Sequence, residues 1–417
     1  MLRFLRLVLL SLLLLASACS TVGQAQPTPQ PSPSPTTAAS PPLVLTLWHS
    51  WSGRSAQVLD LLARRYEQSH PEVRISLQTR PAASLVRDYE AGVADGSAPQ
   101  LLLVRSRYLG ELAEQHYVLP LKDKPIQDRL PELLPAAVDA ARVGGVLQGV
   151  PLSFDSLVLF YDQRQMSQPP KTMEDAISFM PPQATPITER SWGLAYYLSA
   201  PTTLPYLKVF GGSIFAANGT IMIDNAHRTA AIQWLEWLQS LHRDARTTAT
   251  DDFGVVDALV QSNHVASVID WSHRLADYER LWGADAVGVA PLPSVTGRTV
   301  APAPSLLADV VCINAVVGQQ RAAAVDFLAY LASQPAQELL WTRGGELPVN
   351  QRVRLDGPPK AMVAAVPGAV AFPNTPVAAQ AWPLLDEMIR SVLAGSATPT
   401  EAFDKAAAGL RALTPRP

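Results

Sequence analysis

Three features of the 417-residue sequence predict an α/β fold large enough for more than one lobe. Leu101, Leu102, Leu103 and Val104, and again Leu157, Val158, Leu159, Phe160 and Tyr161, are continuous apolar runs, the pattern of strands buried on both faces. Between residues 43 and 104 strand-like and helix-like periodicities alternate, which builds a parallel sheet with crossover helices. Finally, 48% of the residues are hydrophobic and 17% charged, more core-forming material than one lobe holds.

The chain opens with a segment that is not part of the fold. Arg3 and Arg6 precede an apolar run at residues 7–15 that is too short to span a bilayer, and Ala16, Ser17 and Ala18 are the small residues cleaved by a signal peptidase. Residues 1–18 are expected to be a lipoprotein signal peptide and Cys19 the acylated residue, although Ala16 stands where Leu is usual. Residues 19–42 are mostly Thr, Gln, Ser, Ala and Pro, with Pro27, Pro29, Pro31, Pro33 and Pro35 alternating. Such a stretch buries too little surface to offset ordering entropy and reads as an extended tether.

The folded region begins at Leu43 with a strand over 43–49. Val58, Leu61, Leu62 and Tyr66 recur at helical spacing, and His70-Pro71 stops that helix. Val73, Ile75 and Leu77 alternate as a strand, and a helix through Leu85, Tyr89 and Val93 ends at Gly96 before the strand at 101–104. Ligands of such sheets sit at the carboxyl ends of strands, where His49, Trp51, Ser52, Arg105 and Arg107 stand. A turn at Gly149, Val150 and Pro151 then feeds the apolar run at 157–161. Asp155, just ahead of that run, must be paired, solvated in a cleft or neutralised, because burying a lone charge costs several kcal/mol.

Beyond Asp162 helices dominate: one opening near Glu174, an amphipathic one over 230–241, one over 322–331, and two closing helices over 382–393 and 400–410. Strands are expected at Trp192, over 265–271, 287–293 and 308–314. Trp234 and Trp237 read as packing residues beside the apolar stripe of the 230–241 helix.

Composition excludes several functions. Net charge is −3, and no basic stripe interleaved with aromatics suggests nucleic acid. Of the two cysteines, Cys312 lies in an apolar run and reads as a buried thiol, so no disulfide framework is implied. Nucleotide, zinc-protease and serine-hydrolase motifs are absent and the histidines have no metal-ligand spacing, so no cofactor and no metal are expected. Asp155 and Asp270 are the one carboxylate pair a glycan-cleaving enzyme could use; catalysis is the less favoured reading.

Several short motifs in order carry a resemblance. These are residues 45–49 followed by a helix and HPEV at 70–73, DGSAP at 95–99, GVPLSFD…LFYD at 149–162 and FGGSIF…NGT at 210–220. IDW at 269–271, VGVAPLP at 287–293, ELPVN at 346–350 and W…G…TPTEAF at 382–403 complete the set. Together they resemble the extracellular solute-binding proteins of ABC importers, in particular the carbohydrate-binding group that includes maltose-binding protein.

The resemblance implies two α/β lobes joined by a hinge crossed three times, near 152–155, 306–309 and 348–352, with the solute trapped between them in a clamshell. The lobes would comprise 43–152 plus 306–348 and 153–305 plus 349–417. It implies a monomer that delivers a mono- or oligosaccharide to a permease from the outer face of the cell membrane, or a surface sensor on the same fold. Asp155 matches an acidic residue that accepts bonds from sugar hydroxyls, and Trp271 and Trp382 match aromatics that stack on sugar rings. Trp51 would add a further aromatic face, with His49 and Ser52 as polar partners. The sequence departs from the family at Gln100, at Arg107 with Arg105, and around 201–203, where no Tyr occurs. Two arginines can fork onto a carboxylate or phosphate, so an anionic solute stays open. Replacing Cys19→Ala is expected to release the protein from the membrane fraction; unchanged fractionation would rule out lipidation there.

Overall fold

A computed structural model describes residues 41–179, 192–216, 219–223 and 225–413. The expected signal segment, Cys19 and residues 19–40 of the tether lie outside the described residues, as does Asn218 of the NGT stretch.

The alternation at the start of the fold gives strand β1 (Leu43–His49), which pairs in parallel with β2 (Val73–Thr79) and β3 (Leu101–Arg105). The crossovers are the helices Gly53–Ser69 and Leu85–Asp95. The first buries Val58, Leu59, Leu62 and Tyr66 on one face, and the second stops at Gly96, whose φ of 80° forms a left-handed cap. These elements lie where the sequence predicts them.

A short hairpin of β4 (Arg142–Val143) and β5 (Val146–Leu147) leads into β6 (Val150–Asp162), whose residues are all buried. The remaining strands are β7 (Trp192–Tyr197), β8 (Thr248–Thr250), β9 (Val265–Trp271), β10 (Val287–Ala290), β11 (Ser305–Ile313) and β12 (Val370–Ala371). The sheet order is β2-β1-β3-β11-β6-β9-β7-β8, with β10 added to β6 and β12 to β11. Strand β6 is shared: its first half pairs antiparallel with β11, its second half with β9 and β10. It therefore carries the chain from the β1–β3 lobe into the β7–β10 lobe.

Here the structure corrects the sequence reading. The strand begins at Val150, so Asp155 lies within it and not ahead of it. Pro151 is accommodated because the β6–β11 register shifts at a bulge between Asp309 and Val310. Gly149 is needed for close approach: a Cβ there would lie 2.6 Å from the Val311 carbonyl oxygen.

Along β6 alternate side chains serve two cores. Val158 and Phe160 join the cluster that includes Tyr278, stacked on Phe160 at 4.3 Å, while Leu157, Leu159 and Tyr161 join the one around Trp234 and Leu235. Trp234 is fully buried and Trp237 packs on Tyr206 and Phe210, as expected of packing residues.

Other boundaries also move. Strand β11 starts at Ser305, β10 stops at Ala290, and the first closing helix begins at Pro376, where the Thr375 hydroxyl caps the Ala378 N–H. Helices Phe253–Gln261, Leu275–Trp282 and Gly357–Ala365 were not anticipated; the first is capped by the Asp252 carboxylate, which accepts from the N–H groups of Gly254 and Val255.

Candidate functional site

Where β3, β6 and β11 meet, the sequence places charges on strands whose neighbours are apolar, and the fold neutralises them in place. The Arg105 guanidinium at the end of β3 forms ion pairs with Asp155 of β6 at 3.7 Å and Asp309 of β11 at 3.3 Å. Asp309 also accepts from Ser153 Oγ at 3.1 Å and from the Trp51 indole at 3.3 Å. Asp155 accepts from Ser272 Oγ at 2.8 Å and from His273 through both its backbone N–H at 3.1 Å and its ring Nδ1 at 2.8 Å. Glu346 completes the cluster, accepting from the Ser55 hydroxyl. The segment after Glu346 is stitched to β6 as well: Gln337 donates to the Leu152 carbonyl and accepts from the Val349 N–H, and Ser153 bridges to Pro348.

Burial alone would raise the Asp155 carboxyl, but the His273 hydrogen bond and charge, with Arg105 and Ser272 behind them, outweigh it and hold it below the ordinary range. Glu346 goes the other way: burial pushes it up, the Asp309 charge adds to that, and Ser55 and Arg105 only partly compensate. The Arg105 guanidinium stays charged, since Asp309, Asp155 and Glu346 overcome its burial.

Two chambers open near the carboxyl ends of strands. One, of about 280 Å³, is walled by Tyr197 at the end of β7, Trp271 at the end of β9 and Phe253, with the carboxylates of Asp270 and Asp386 at its edge. Tyr197 and Phe253 meet edge to face at 5.5 Å, and Phe253 is 45% exposed. The other, of about 360 Å³, lies between Arg107 and Tyr108 after β3 and Trp382 of the closing helix, floored by Phe372. Phe372 stacks on Trp382 at 4.5 Å, which fixes the indole plane. Pro201 lines both chambers, and the two together form the candidate cleft, with aromatic faces and polar rims. A larger cavity of about 510 Å³ lies across Trp382, lined by Leu204, Phe215 and Val300, away from Trp271 and the charge cluster.

The predicted site residues meet different fates. Trp271, Trp382 and Arg107 line the cleft, and Arg107 lies over the Tyr108 ring and donates to its hydroxyl at 2.7 Å. Ser52 is exposed at the start of its helix and makes no side-chain cap, which leaves its hydroxyl open, whereas the Trp51 indole is committed to Asp309. Two expectations need correction. His49 is only 2% exposed and turns into the core, where burial holds its imidazole below the ordinary range against an opposing contact from the Trp51 backbone. Asp155 is 4% exposed with both oxygens engaged, because Ser272, His273 and Arg105 close over its carboxylate. Asp270 is also engaged, accepting from the Tyr278 hydroxyl and the Trp271 N–H, while still lining the Trp271 chamber. Tyr197, Phe253, Tyr108 and His273 were missed. Tyr197 ends an apolar strand and Tyr108 follows one, so the strand-end rule applied evenly would have found both; Phe253 and His273 carry no such signal.

Comparison with known proteins bears on this cleft. The sequence profile of the family described as bacterial extracellular solute-binding protein matches residues 62–368. The chain belongs to that family. Within it, the chain is 25% identical to a maltotriose-binding protein of Pyrococcus abyssi over 171 residues, 41% of this chain but only 37% of that protein. It is 24% identical over 331 residues to the maltodextrin-binding protein MdxE of Bacillus subtilis, covering 74% of this chain and 76% of the relative. Its structure is similar to the maltose/maltodextrin-binding domain MalE from Bdellovibrio bacteriovorus bound to maltotriose, with a TM-score of 0.70, 23% identity, and 89% and 99% of the two chains covered. The fold is thus the two-lobe clamshell of solute-binding proteins, a family placed outside the cytoplasm. No helix among the described residues is long and apolar enough to cross a membrane.

Removing Arg105 strands three carboxylates together. Breaking a fully buried pair costs about 3–5 kcal/mol; the Arg105 side chain is 36% exposed, so Arg105→Ala is expected to cost about 1–3 kcal/mol after solvent screening. Because the Glu346 carboxyl is already pushed up, it protonates first as pH falls and relieves the repulsion. The deficit against wild type, measured by urea denaturation, should therefore shrink on acidification from pH 7.5 to 5.

Proposed function

We propose that this protein captures a maltodextrin-type oligosaccharide between its lobes and delivers it to the permease of an ABC importer, held at the outer membrane face by acylated Cys19. In this reading the lobes divide at residues 152/153, 305/306 and 348/349, and the protein acts as a monomer. The observation that carries the proposal is the pair of aromatic chambers at the strand ends, Tyr197–Phe253–Trp271 and Tyr108–Phe372–Trp382, joined at Pro201. A saccharide presents apolar C–H faces and a rim of hydroxyls, and flat aromatic walls with polar edges complement both. The names of the relatives, binders of maltotriose and maltodextrin, support the same class.

Arg107 favours a second reading. Its guanidinium is exposed in the Trp382 chamber and engages the Tyr108 hydroxyl, while no carboxylate among the described residues pairs with it. A solute bearing a carboxylate or phosphate would take a forked bond there.

Calorimetric titration of the protein with maltotriose tests the first reading directly. Trp271→Ala and Trp382→Ala are each expected to weaken binding by about 1–3 kcal/mol, or about 5- to 150-fold, from the burial energy of a large aromatic side chain. Arg107→Ala should leave maltotriose affinity nearly unchanged. If both tryptophan variants bind like wild type, the aromatic chambers are not the saccharide site; if Arg107→Ala alone abolishes binding of a uronic-acid oligosaccharide that outcompetes maltotriose, the anionic reading replaces the neutral one.

A further inference from the structure

Two residues beyond Trp271, which lines the cleft, one exposed polar atom stands beside the charge cluster without a partner among the described residues. His273 follows Trp271 and Ser272 at the end of β9; its Nδ1 is 2.8 Å from an Asp155 carboxylate oxygen, and the charges of Asp155, Arg105 and Asp270 act on the ring. Nδ1 and the backbone N–H are both bound to Asp155. The side chain is nevertheless 56% exposed, and no described residue hydrogen-bonds Nε2. An ionised carboxylate only accepts, so Asp155 fixes the proton on Nδ1 and the orientation of the ring. Nε2 then carries a lone pair when the ring is neutral and an N–H when it is charged.

We infer that His273 is a solute-reading residue: Asp155 positions the ring, and Nε2 makes the hydrogen bond to a solute hydroxyl that the buried Asp155 carboxylate cannot reach. This rests on the proposal that an oligosaccharide occupies the cleft. It assigns the two residues separate tasks, Asp155 acting through His273 and His273 touching the solute. Arg274, the next residue, is committed to Asp257 and Asp277 and does not compete for the same hydroxyl.

The pairing gives the contact a pH dependence of defined sign. The Asp155 hydrogen bond raises the His273 imidazole above its ordinary range, against partial burial and the Arg105 charge, with the Asp155 and Asp270 charges adding to the rise. Below that raised value the charged ring donates a charge-assisted bond; above it the neutral ring only accepts, which is the weaker arrangement. Affinity for a neutral saccharide therefore falls as pH rises through the His273 titration, beginning above about 6.5, the ordinary imidazole value.

The test is calorimetric titration of wild type, His273→Asn and His273→Gln with maltotriose at pH 5.5 and 8.5. Asn offers an amide N–H near the position of Nδ1 but no atom near Nε2, whereas Gln extends its amide towards the Nε2 position. His273→Asn should bind about tenfold more weakly at pH 5.5, the scale of one lost charge-assisted hydrogen bond. It should also lose the pH dependence, and His273→Gln should recover part of the affinity. Nitrogen NMR of the wild-type histidines provides a readout that needs no variant: saturating maltotriose should shift the His273 Nε2 resonance and leave Nδ1 in place. A static Nε2 resonance, or wild-type affinity with intact pH dependence in His273→Asn, overturns the assignment of His273 alone. Failure of wild type to bind any saccharide overturns the oligosaccharide reading and this role with it.

Discussion

A charge on a strand shared by two lobes cannot move to water, so the structure must bring its partners to it. Asp155 is that charge. On β6 it stands between β11, which belongs with the first lobe, and β9, which belongs to the second, and its partners come from two directions: Arg105 from β3, and Ser272 and His273 from the turn after β9. Desolvation alone would drive the carboxyl towards neutrality, and only the combined pairing keeps it ionised. A second carboxylate reaches Arg105 through the sheet register, since Asp309 of β11 is paired directly with Arg105 of β3, and the backbone N–H of Ala308 beside it is bound to the Ser106 hydroxyl.

Around this fixed junction the aromatic walls are placed by elements that have little else in common. Trp271 is positioned because the next two residues are bound to Asp155, so junction and cleft share one turn. Trp382 is positioned by its stack on Phe372, which in turn follows β12, itself paired with β11. Asp386, one turn along the closing helix, accepts from the Ala200 N–H and ties that helix to the segment carrying Pro201. Each wall of the cleft is therefore anchored to a strand crossing between lobes or to a helix bound to one. The geometry suits a clamshell: the strands β6 and β11 remain paired while the elements at their ends approach.

Much of this was legible in the residues, and the failures have physical causes. The βαβαβ opening, the buried run of β6 and the strand at Trp271 follow from periodicity and apolar length alone, because β3, β6 and β9 are buried almost throughout while the edge strand β2 alternates. Short helices such as Phe253–Gln261 were not legible, since nine residues with valines and a glycine lack a distinct apolar stripe, and the Asp252 cap is visible only once the turn exists. Among site residues, Trp271 and Trp382 were found through resemblance and do line the cleft. Asp155 was singled out correctly as a residue needing partners, but sequence could not show that Ser272 and His273 would consume its oxygens. His49 failed because a strand-end position does not say which face a side chain takes: on β1 it follows Leu45 and Leu47 inwards.

The central claim is that the two lobes turn about the β6–β11 junction and close on a saccharide. Small-angle X-ray scattering of the protein with and without saturating maltotriose measures that motion most directly. The account predicts a smaller radius of gyration in the bound protein. An unchanged radius, under conditions where calorimetry shows the site to be full, would contradict it.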